Sequence, residues 1–207
     1  LIILHKSSSL TKLYKSTKIN RSMEILRKIY SFLLDSVQTF LIAAAVFLVI
    51  YVFLFRPFEV KGESMYPNFY DKEYVLTNLI ALRFQNPKTG DVIVFKAPPD
   101  PDKDYIKRVI AVPGETVSIK DSVVYINGQV LDESEYLSPD IKTYLGAFMK
   151  EGETVTVHPD QYFVMGDNRV NSSDSREWGF VKKSDLIGNS MLVYWPVNRM
   201  RFVENPY

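Results

Sequence analysis

An uncharged, apolar run occupies residues 36–55 and reads SVQTFLIAAAVFLVIYVFLF. A helix of about 20 residues rises ~30 Å, the thickness of the hydrocarbon core of a bilayer. We therefore predict one transmembrane helix over residues 36–55. A buried core helix and a cleaved signal peptide are the alternatives. Cleavage is disfavoured because the run ends in bulky Phe53, Leu54 and Phe55, where a signal peptide carries small residues.

The segment before this run is strongly basic. Residues 1–35 hold seven Lys/Arg and two Asp/Glu, whereas the whole chain has a net charge of only +1. Positively charged flanks stay on the cytoplasmic side during insertion. This predicts a cytoplasmic segment over residues 1–35 and an extracytoplasmic domain over residues 56–207, in the plasma membrane or an organellar membrane. A disordered tail, a nucleic-acid-binding arm and a transit peptide are other interpretations of a basic segment. Its place directly before a span favours the lipid bilayer as partner and no nucleic acid.

The residues after the span alternate apolar and polar side chains in short runs, which is typical of strands. The dipeptide Asn127-Gly128 predicts a two-residue hairpin turn, because both turn positions need positive φ. Residues 140–150 look helical. The predicted fold class is mainly β: one N-terminal transmembrane helix followed by a β-rich domain of about 150 residues. Strands are expected at 74–79, 91–95, 105–112, 116–119, 123–130, 154–157, 162–165 and 191–195.

Several kinds of chemistry are excluded by what the chain contains. It has no cysteine, so it can form neither a disulfide nor a thiolate site. Its two histidines, His5 and His158, lie on opposite sides of the predicted span, so they cannot share a metal. His158 follows a strand in a turn context that is typical of a surface side chain. We therefore expect no metal and no cofactor, and a general base other than histidine.

Two segments have the residues for an alternative base and nucleophile. Ser64 lies between Gly62 and Pro67, in a constrained loop that can present its hydroxyl. Lys107 and Arg108 are adjacent in an apolar strand, so they point to opposite faces, and we expect one of them to be partly buried. Burial lowers a lysine pKa, and a shift of ~2 to 2.5 units, or roughly 3 kcal/mol, makes the amine half neutral near pH 8. A turn-forming serine and a lysine that reaches water along its stem are the structural alternatives.

A third segment, residues 165–179, combines Gly, Asp, Asn, Ser and Arg directly after a predicted strand. Such a loop makes many hydrogen bonds between side chains and backbone. In structural terms it is an ordered turn with an Asp-Arg pair. In functional terms Ser172 can hold a lysine in place.

Together these segments and the span resemble the type I signal peptidases, membrane-anchored serine peptidases that remove signal peptides from exported proteins. The resemblance covers about residues 30–200 and keeps the family's motif order. The lysine resembles that of the bacterial and organellar branch. The motifs are Ser64-Met-x-Pro67, Gly90-Asp-Val-Ile-Val-Phe, Tyr105-Ile-Lys-Arg with Pro113-Gly114, and Gly166-Asp-Asn-Arg through Ser172-x-Asp174-Ser-Arg176-x-Trp-Gly179.

The resemblance implies a role for each matching residue. Ser64 would be the nucleophile and Lys107 the general base that activates it. Ser172 would hydrogen-bond to the Lys107 amine and orient it. Asp174 and Arg176 would form an ion pair that supports the loop.

The resemblance also implies the substrate and where this chain departs from the family. The substrates would be preprotein signal peptides cleaved after an Ala-x-Ala pattern, near the export translocon. The family often has an oxyanion-binding serine where this chain has Gly62, which leaves the Ser64 backbone N–H as the main donor. Two further departures are Asn68-Phe69 after Pro67, where the family more often has Thr-Leu, and Val170 after the Gly-Asp-Asn-Arg motif, where an acidic residue is sometimes found. Shallow apolar subsites would be lined by Phe58, Val60, Met65, Phe69 and Ile106, residues that are otherwise ordinary core packing.

Two rival functions remain open at the level of sequence. A self-cleaving repressor-type peptidase also uses serine and lysine on a β-rich domain, but it predicts a soluble DNA-binding head, which the span at 36–55 disfavours. A membrane-anchored adhesion or assembly module would give Ser64 and Lys107 structural roles only. Ser64 follows Phe55 by nine residues, at most ~30 Å of chain, so the serine is tethered near the predicted membrane face.

Overall fold

A computed structural model describes the backbone of residues 3–207 and the side chains of residues 23–51 and 53–207. The chain divides into two compact units, one up to Ile50 and one from Tyr51 onwards. Most side chains of the predicted basic segment, residues 1–35, lie outside the described part, and so does that of His5.

The first unit consists of helix α1 (Ile3–Leu54), whose last residues belong to the second unit. Within it, Met23–Tyr51 is long and apolar enough to cross a membrane by length and composition. Large apolar side chains such as Phe32 and Phe40 are each 70% exposed along this stretch. Exposing such side chains to water is unfavourable, so the helix needs an apolar environment. The predicted span, 36–55, ends one residue beyond the helix because Phe55 already belongs to a strand.

The second unit is mainly β, as the sequence predicts. Its strands are β1 (Phe55–Glu59), β2 (Tyr74–Asn78), β3 (Val92–Ala97), β4 (Asp100–Ala111), β5 (Thr116–Lys120), β6 (Val123–Ile126), β7 (Gln129–Val130), β8 (Thr154–Thr156), β9 (Gln161–Met165), β10 (Val181–Lys182), β11 (Leu186–Trp195) and β12 (Arg201–Phe202). Two short helices, α2 (Ala81–Phe84) and α3 (Ser175–Trp178), and two 3₁₀ turns (Lys183–Asp185 and Val197–Arg199) lie between strands.

The strands form two antiparallel sheets. The larger has the order β1-β2-β11-β3-β4-β9-β10, with β12 paired to β11. The smaller has the order β7-β6-β5-β8. In the larger sheet β4 lies between β3 and β9, with Lys107 opposite Ile93 and Arg108 opposite Val92. The two adjacent cations are therefore in the interior of the sheet.

Three apolar clusters form the core. One packs β9 and the end of β4 against the smaller sheet and includes Ile110, Val117 and Phe163. A second packs β3, β4 and β9 through Ile93 and Phe95. The third lies beneath the chain between β1 and β2 and consists of Val60, Met65, Phe69, Val75, Val92 and Val193. Each such large side chain contributes ~1.5 to 3 kcal/mol when fully buried. The third cluster therefore anchors the segment that carries Ser64.

Local expectations succeed and fail for physical reasons. Asn127 and Gly128 adopt φ of 53° and 77° and join β6 to β7, which confirms the predicted hairpin turn. The prediction of a helix near residues 140–150 is wrong. The backbone there bonds to other segments instead of to itself: the Thr143 N–H donates to Ser122 O and the Phe148 N–H to Arg176 O. Gly146 also lies directly against the Arg176 backbone, which a side chain would prevent.

Candidate active site

Ser64 lies in the segment that joins β1 to β2, which we call the serine loop (residues 60–73). The two ends of this loop pair with each other: the Val60 N–H donates to Glu73 O at 2.8 Å and the Lys72 N–H to Val60 O at 2.8 Å. Met65 and Phe69 anchor it from below, with exposed fractions of 1% and 3%. The loop is thus closed at its base and held down by apolar packing, and it keeps Ser64 at a fixed, half-buried position.

Lys107 on β4 contacts Ser64 directly. Its Nζ donates a hydrogen bond to Ser64 Oγ at 2.8 Å and another to Ile106 O at 3.0 Å, although the two side chains that meet are 43 positions apart in sequence. The lysine is only 3% exposed. Burial lowers the pKa of Lys107 from 10.5 to about 8, although the negative charges of Asp174 and Asp167 act in the opposite direction. The amine is therefore neutral in a useful fraction of molecules near neutral pH.

Both cations of the β4 pair are buried, where the sequence suggested one. Arg108 is 4% exposed, and each of its three guanidinium nitrogens donates a hydrogen bond. Its Nε and Nη2 donate to the two carboxylate oxygens of Asp167 at 2.9 and 2.7 Å, and its Nη1 donates to Gly90 O. The guanidinium also lies 4.2 Å from the ring centroid of Tyr136. A bidentate pair of this kind satisfies a buried charge that would otherwise be strongly unfavourable.

Residues 166–176 form what we call the polar loop, which follows β9 and includes the first residues of α3. Asp174 accepts a hydrogen bond from the Gly166 N–H at 3.0 Å and caps α3 by accepting from the Arg176 N–H. Arg176 forms an ion pair with Asp174 at 2.7 Å and donates to Arg169 O. Asp174 and Arg176 are both buried. One carboxylate thus holds the two ends of the polar loop together.

Ser172 does not make the hydrogen bond to Lys107 that the resemblance implied. Its Oγ is buried and has no hydrogen-bond partner among the residues that the structure describes. The Lys107 amine is instead directed to Ser64 and to Ile106 O. Ser172 Oγ packs against Gly166, and so does Ser64 O, so any side chain at Gly166 would collide with both atoms. Gly166 therefore allows the serine loop and the polar loop to approach closely.

Further residues join the two loops, and sequence reasoning assigned none of them a role. The Asn168 N–H donates to Ser64 O at 3.0 Å, and its Nδ2 donates to Glu63 O at 3.1 Å. Asn68 Nδ2 donates to Asp167 Oδ2 at 2.9 Å and to Tyr136 O at 2.8 Å. Asp167 and Asn168 belong to the Gly-Asp-Asn-Arg motif, which was their one signal in the sequence. Their partners are about a hundred positions away, so only the fold identifies them.

An open cleft of about 850 Å³ lies beside Ser64 and Lys107. Phe58, Val60 and Ile106 belong to its wall, as the resemblance suggested. Met65 and Phe69 do not line it; they are buried in the cluster beneath the serine loop, where loop closure requires them. Polar and charged side chains complete the rim, among them Glu63, Asp102, Lys103, Asn171 and Ser173. The cleft thus has an apolar wall that leads to the serine hydroxyl.

Two further predictions concern histidine and metals. His158 is exposed, as the sequence predicts, and its ring lies beside the Phe180 ring. Within the part of the chain that the structure describes, no group of three or more His, Cys, Asp or Glu residues is arranged to hold a metal ion.

A serine hydroxyl in contact with a buried amine, beside an open cleft, is the arrangement expected of hydrolases that use a serine nucleophile. Comparison with known proteins agrees with that class. The family model described as signal peptidase, peptidase S26, matches residues 33–195. The chain therefore belongs to the signal peptidase family, peptidase S26, and is a serine endopeptidase of the signal peptidase I type.

Individual relatives cover most of the chain. A signal peptidase I of Bacillus amyloliquefaciens is 36% identical over 179 residues, which is 83% of this chain and 92% of the relative. Signal peptidase I T of Bacillus subtilis (strain 168) is 39% identical over 169 residues, 79% of this chain and 86% of the relative. A crystal structure of a signal peptidase I from Enterococcus faecalis V583 has 33% identity, covers 51% of this chain and 97% of that one, and gives a TM-score of 0.41.

Proposed function

We propose that this chain is a membrane-anchored endopeptidase that cleaves signal peptides from preproteins with Ser64 as nucleophile and Lys107 as general base. The observation that carries the proposal is the 2.8 Å contact between Lys107 Nζ and Ser64 Oγ, made by a buried amine whose pKa is lowered to about 8. At pH 7 roughly one amine in ten is then neutral, compared with fewer than about one in a thousand for an ordinary lysine.

The neutral amine drives acylation. Ser64 Oγ attacks the scissile carbonyl carbon while its proton passes to Lys107 Nζ, forming a tetrahedral intermediate. The resulting ammonium gives that proton to the leaving amine, the C–N bond breaks, and an acyl-enzyme remains on Ser64. Water then attacks the ester carbonyl carbon and gives a proton to the neutral Lys107 amine. The resulting ammonium returns this proton to Ser64 Oγ as the ester C–O bond breaks, and the signal peptide departs with a free carboxyl group. One lysine thus serves as base and acid in both halves of the reaction.

The negative charge on the carbonyl oxygen needs a donor. The Ser64 backbone N–H supports this role, because no hydrogen bond among the described residues engages it. Gly62 has no hydroxyl to add a second donor. Loss of one such donor slows acyl transfer by roughly 10² to 10³ in kcat in serine proteases, so the orientation of this single N–H matters.

Specificity follows from the wall of the cleft. Phe58, Val60 and Ile106 present apolar surface next to Ser64. Forcing a large side chain into a closely packed apolar subsite is unfavourable by ~1 to 3 kcal/mol, which favours alanine over bulky residues. This supports cleavage after an Ala-x-Ala pattern.

Anchoring follows from α1. Met23–Tyr51 is long and apolar enough to span a bilayer, and basic residues precede it in the sequence. By the positive-inside rule the N-terminus lies in the cytoplasm and the catalytic unit on the export side of the plasma membrane or of an organellar membrane. There it meets signal peptides near the export translocon.

The dyad is tested with the full chain in detergent and a preprotein that has an Ala-x-Ala site. We expect Ser64→Ala and Lys107→Ala each to reduce cleavage at least about 10³-fold, because each removes a group that moves a proton or forms the acyl bond. Ser184→Ala and Lys120→Ala, at exposed positions, are the matched controls and should cleave like the parent. Parent-level cleavage by either dyad variant contradicts the proposal. Protection of the second unit from protease added outside intact cells contradicts the proposed orientation.

A further inference from the structure

The orientation of one peptide group decides whether the Ser64 N–H can serve the reaction. That group joins Glu63 to Ser64. Peptide groups are planar and trans, so the Ser64 N–H points away from the Glu63 carbonyl. The Glu63 carbonyl accepts hydrogen bonds from the Tyr66 N–H at 3.0 Å and from Asn168 Nδ2 at 3.1 Å. The carbonyl end of this peptide group is therefore held by the serine loop itself and by the polar loop.

On the N-terminal side of this peptide group, Glu63 is preceded by Gly62. Gly62 adopts a φ of +85°, and nothing lies within 4 Å of the place where a Cβ would stand. No atom therefore packs against that face of Gly62. Glycine adopts positive and negative φ with similar ease, so its backbone does not select this conformation either.

One side chain does hold Gly62. The Gly62 N–H donates a hydrogen bond to Asp71 Oδ1 at 2.7 Å. Asp71 is on the returning arm of the serine loop, next to Lys72, whose N–H pairs with Val60 O. The Asp71 bond thus extends that pairing by one step, from Val60 to Gly62. A hydrogen bond to a carboxylate is shorter and stronger than one between neutral groups.

We propose that Asp71 is a positioning residue: by accepting from the Gly62 N–H it fixes the backbone that leads into Ser64, so that the Ser64 N–H stays aimed at the developing oxyanion. The inference rests on the proposed function of Ser64. It also explains how the chain works with Gly62 where a second donor is missing: one donor suffices when its direction is set in advance. Asp71 itself is not among the residues that line the cleft, so it acts through Gly62.

The test uses the full chain and compares Asp71→Ala, Asp71→Asn and the control Asp140→Ala at an exposed site. We expect Asp71→Ala to lower kcat about 10-fold, a part of the ~10² to 10³ that a lost donor removes, while KM changes less than about 2-fold. Asp71→Asn keeps a carbonyl oxygen that can accept from Gly62, so we expect kcat within about 3-fold of the parent. Asp140→Ala should match the parent.

A second measurement separates positioning from general damage. Ser64 Oγ adds to the carbonyl carbon of a peptide aldehyde of Ala-x-Ala sequence and forms a hemiacetal. The former carbonyl oxygen of the aldehyde then lies where the oxyanion forms. Its inhibition constant should weaken about 10-fold in Asp71→Ala, in step with kcat/KM. Folded enzyme is counted by saturating titration with the same aldehyde. The midpoint of the pH profile should stay where the parent has it, because Asp71 makes no contact with Lys107.

The outcomes are distinct. An unchanged kcat per folded Asp71→Ala molecule overturns the inference, as does a loss that Asp71→Asn shares in full or a loss found only in KM. If Ser64→Ala still cleaves in the same assay, the proposed function has failed, whatever Asp71 does. An inactive Ser64→Ala together with a fully active Asp71→Ala refutes the positioning role alone.

Discussion

Replacing Lys107 by methionine should remove activity and at the same time stabilise the protein. Methionine has a similar length and no charge. In the parent, burial lowers the pKa of Lys107 from 10.5 to about 8, so the folded state below pH 8 holds an ammonium that is only 3% exposed. A shift of this size corresponds to about 3 kcal/mol at 1.36 kcal/mol per pH unit. The buried ammonium therefore lowers the stability of the folded protein by about this amount.

The sign of the pH dependence follows from linkage. Between pH 8 and 10.5 the unfolded chain binds the proton and the folded chain does not, so raising the pH stabilises the parent. The penalty is about 3 kcal/mol at pH 7 and falls below about 1 kcal/mol at pH 10. In the methionine variant it is absent at every pH. Loss of the hydrogen bonds to Ser64 and Ile106 O offsets part of the gain by ~1 kcal/mol, but this offset does not depend on pH.

The assay is urea unfolding of parent and Lys107→Met, as full chains in the same detergent, from pH 7 to pH 10 with tryptophan fluorescence as the signal. We expect the stability difference between variant and parent to shrink by about 2 to 3 kcal/mol over that range. Other titrating groups cancel in the difference because both proteins share them. A difference that stays constant with pH refutes a buried amine of lowered pKa, whatever its size.

Two further predictions follow from the same contacts. The value of kcat/KM for an Ala-x-Ala substrate should rise about tenfold per pH unit below pH 8 and level off above it, because neutral Lys107 is the active form and its pKa is about 8; a flat profile from pH 6 to 9 would exclude a titrating amine. Gly166→Ala should lower kcat more than about 100-fold, because the added Cβ meets Ser64 O and Ser172 Oγ and separates the two loops. Parent-like cleavage by Gly166→Ala would show that this close approach is dispensable.

Two expectations that depend on local sequence were met. The hairpin at Asn127-Gly128 needs only two residues that tolerate positive φ, and the apolar run that ends near Leu54 needs only length and composition to form a helix. Residues 140–150 failed because a helix needs its own backbone bonds, and in the fold those of Thr143 and Phe148 go to distant segments. The acceptors of these two N–H groups are Ser122 O and Arg176 O, which are about 20 to 30 positions away and are not visible in the local sequence.

The candidate site divides in the same way. Ser64 and Lys107 were found from motif order, and the contact between them is present in the fold. The resemblance assigned Met65 and Phe69 to the cleft with Phe58, but closure of the serine loop buries both of them in the apolar cluster beneath it. The sequence placed Asp167 in a motif but did not indicate its partner. In the fold, Asp167 forms an ion pair with Arg108.

By itself the order of amino acids determined which chemistry is available: a hydroxyl in a tight loop, an amine within an apolar strand, an apolar helix, and no thiol. Those are properties of single residues and short windows. Only the tertiary structure decided that the Lys107 amine is buried, that Ser172 Oγ lies against Gly166, and that Asp71 accepts a hydrogen bond from the Gly62 N–H. Desolvation and hydrogen-bond direction depend on atoms from several strands at once, and the packing of the whole sheet sets them.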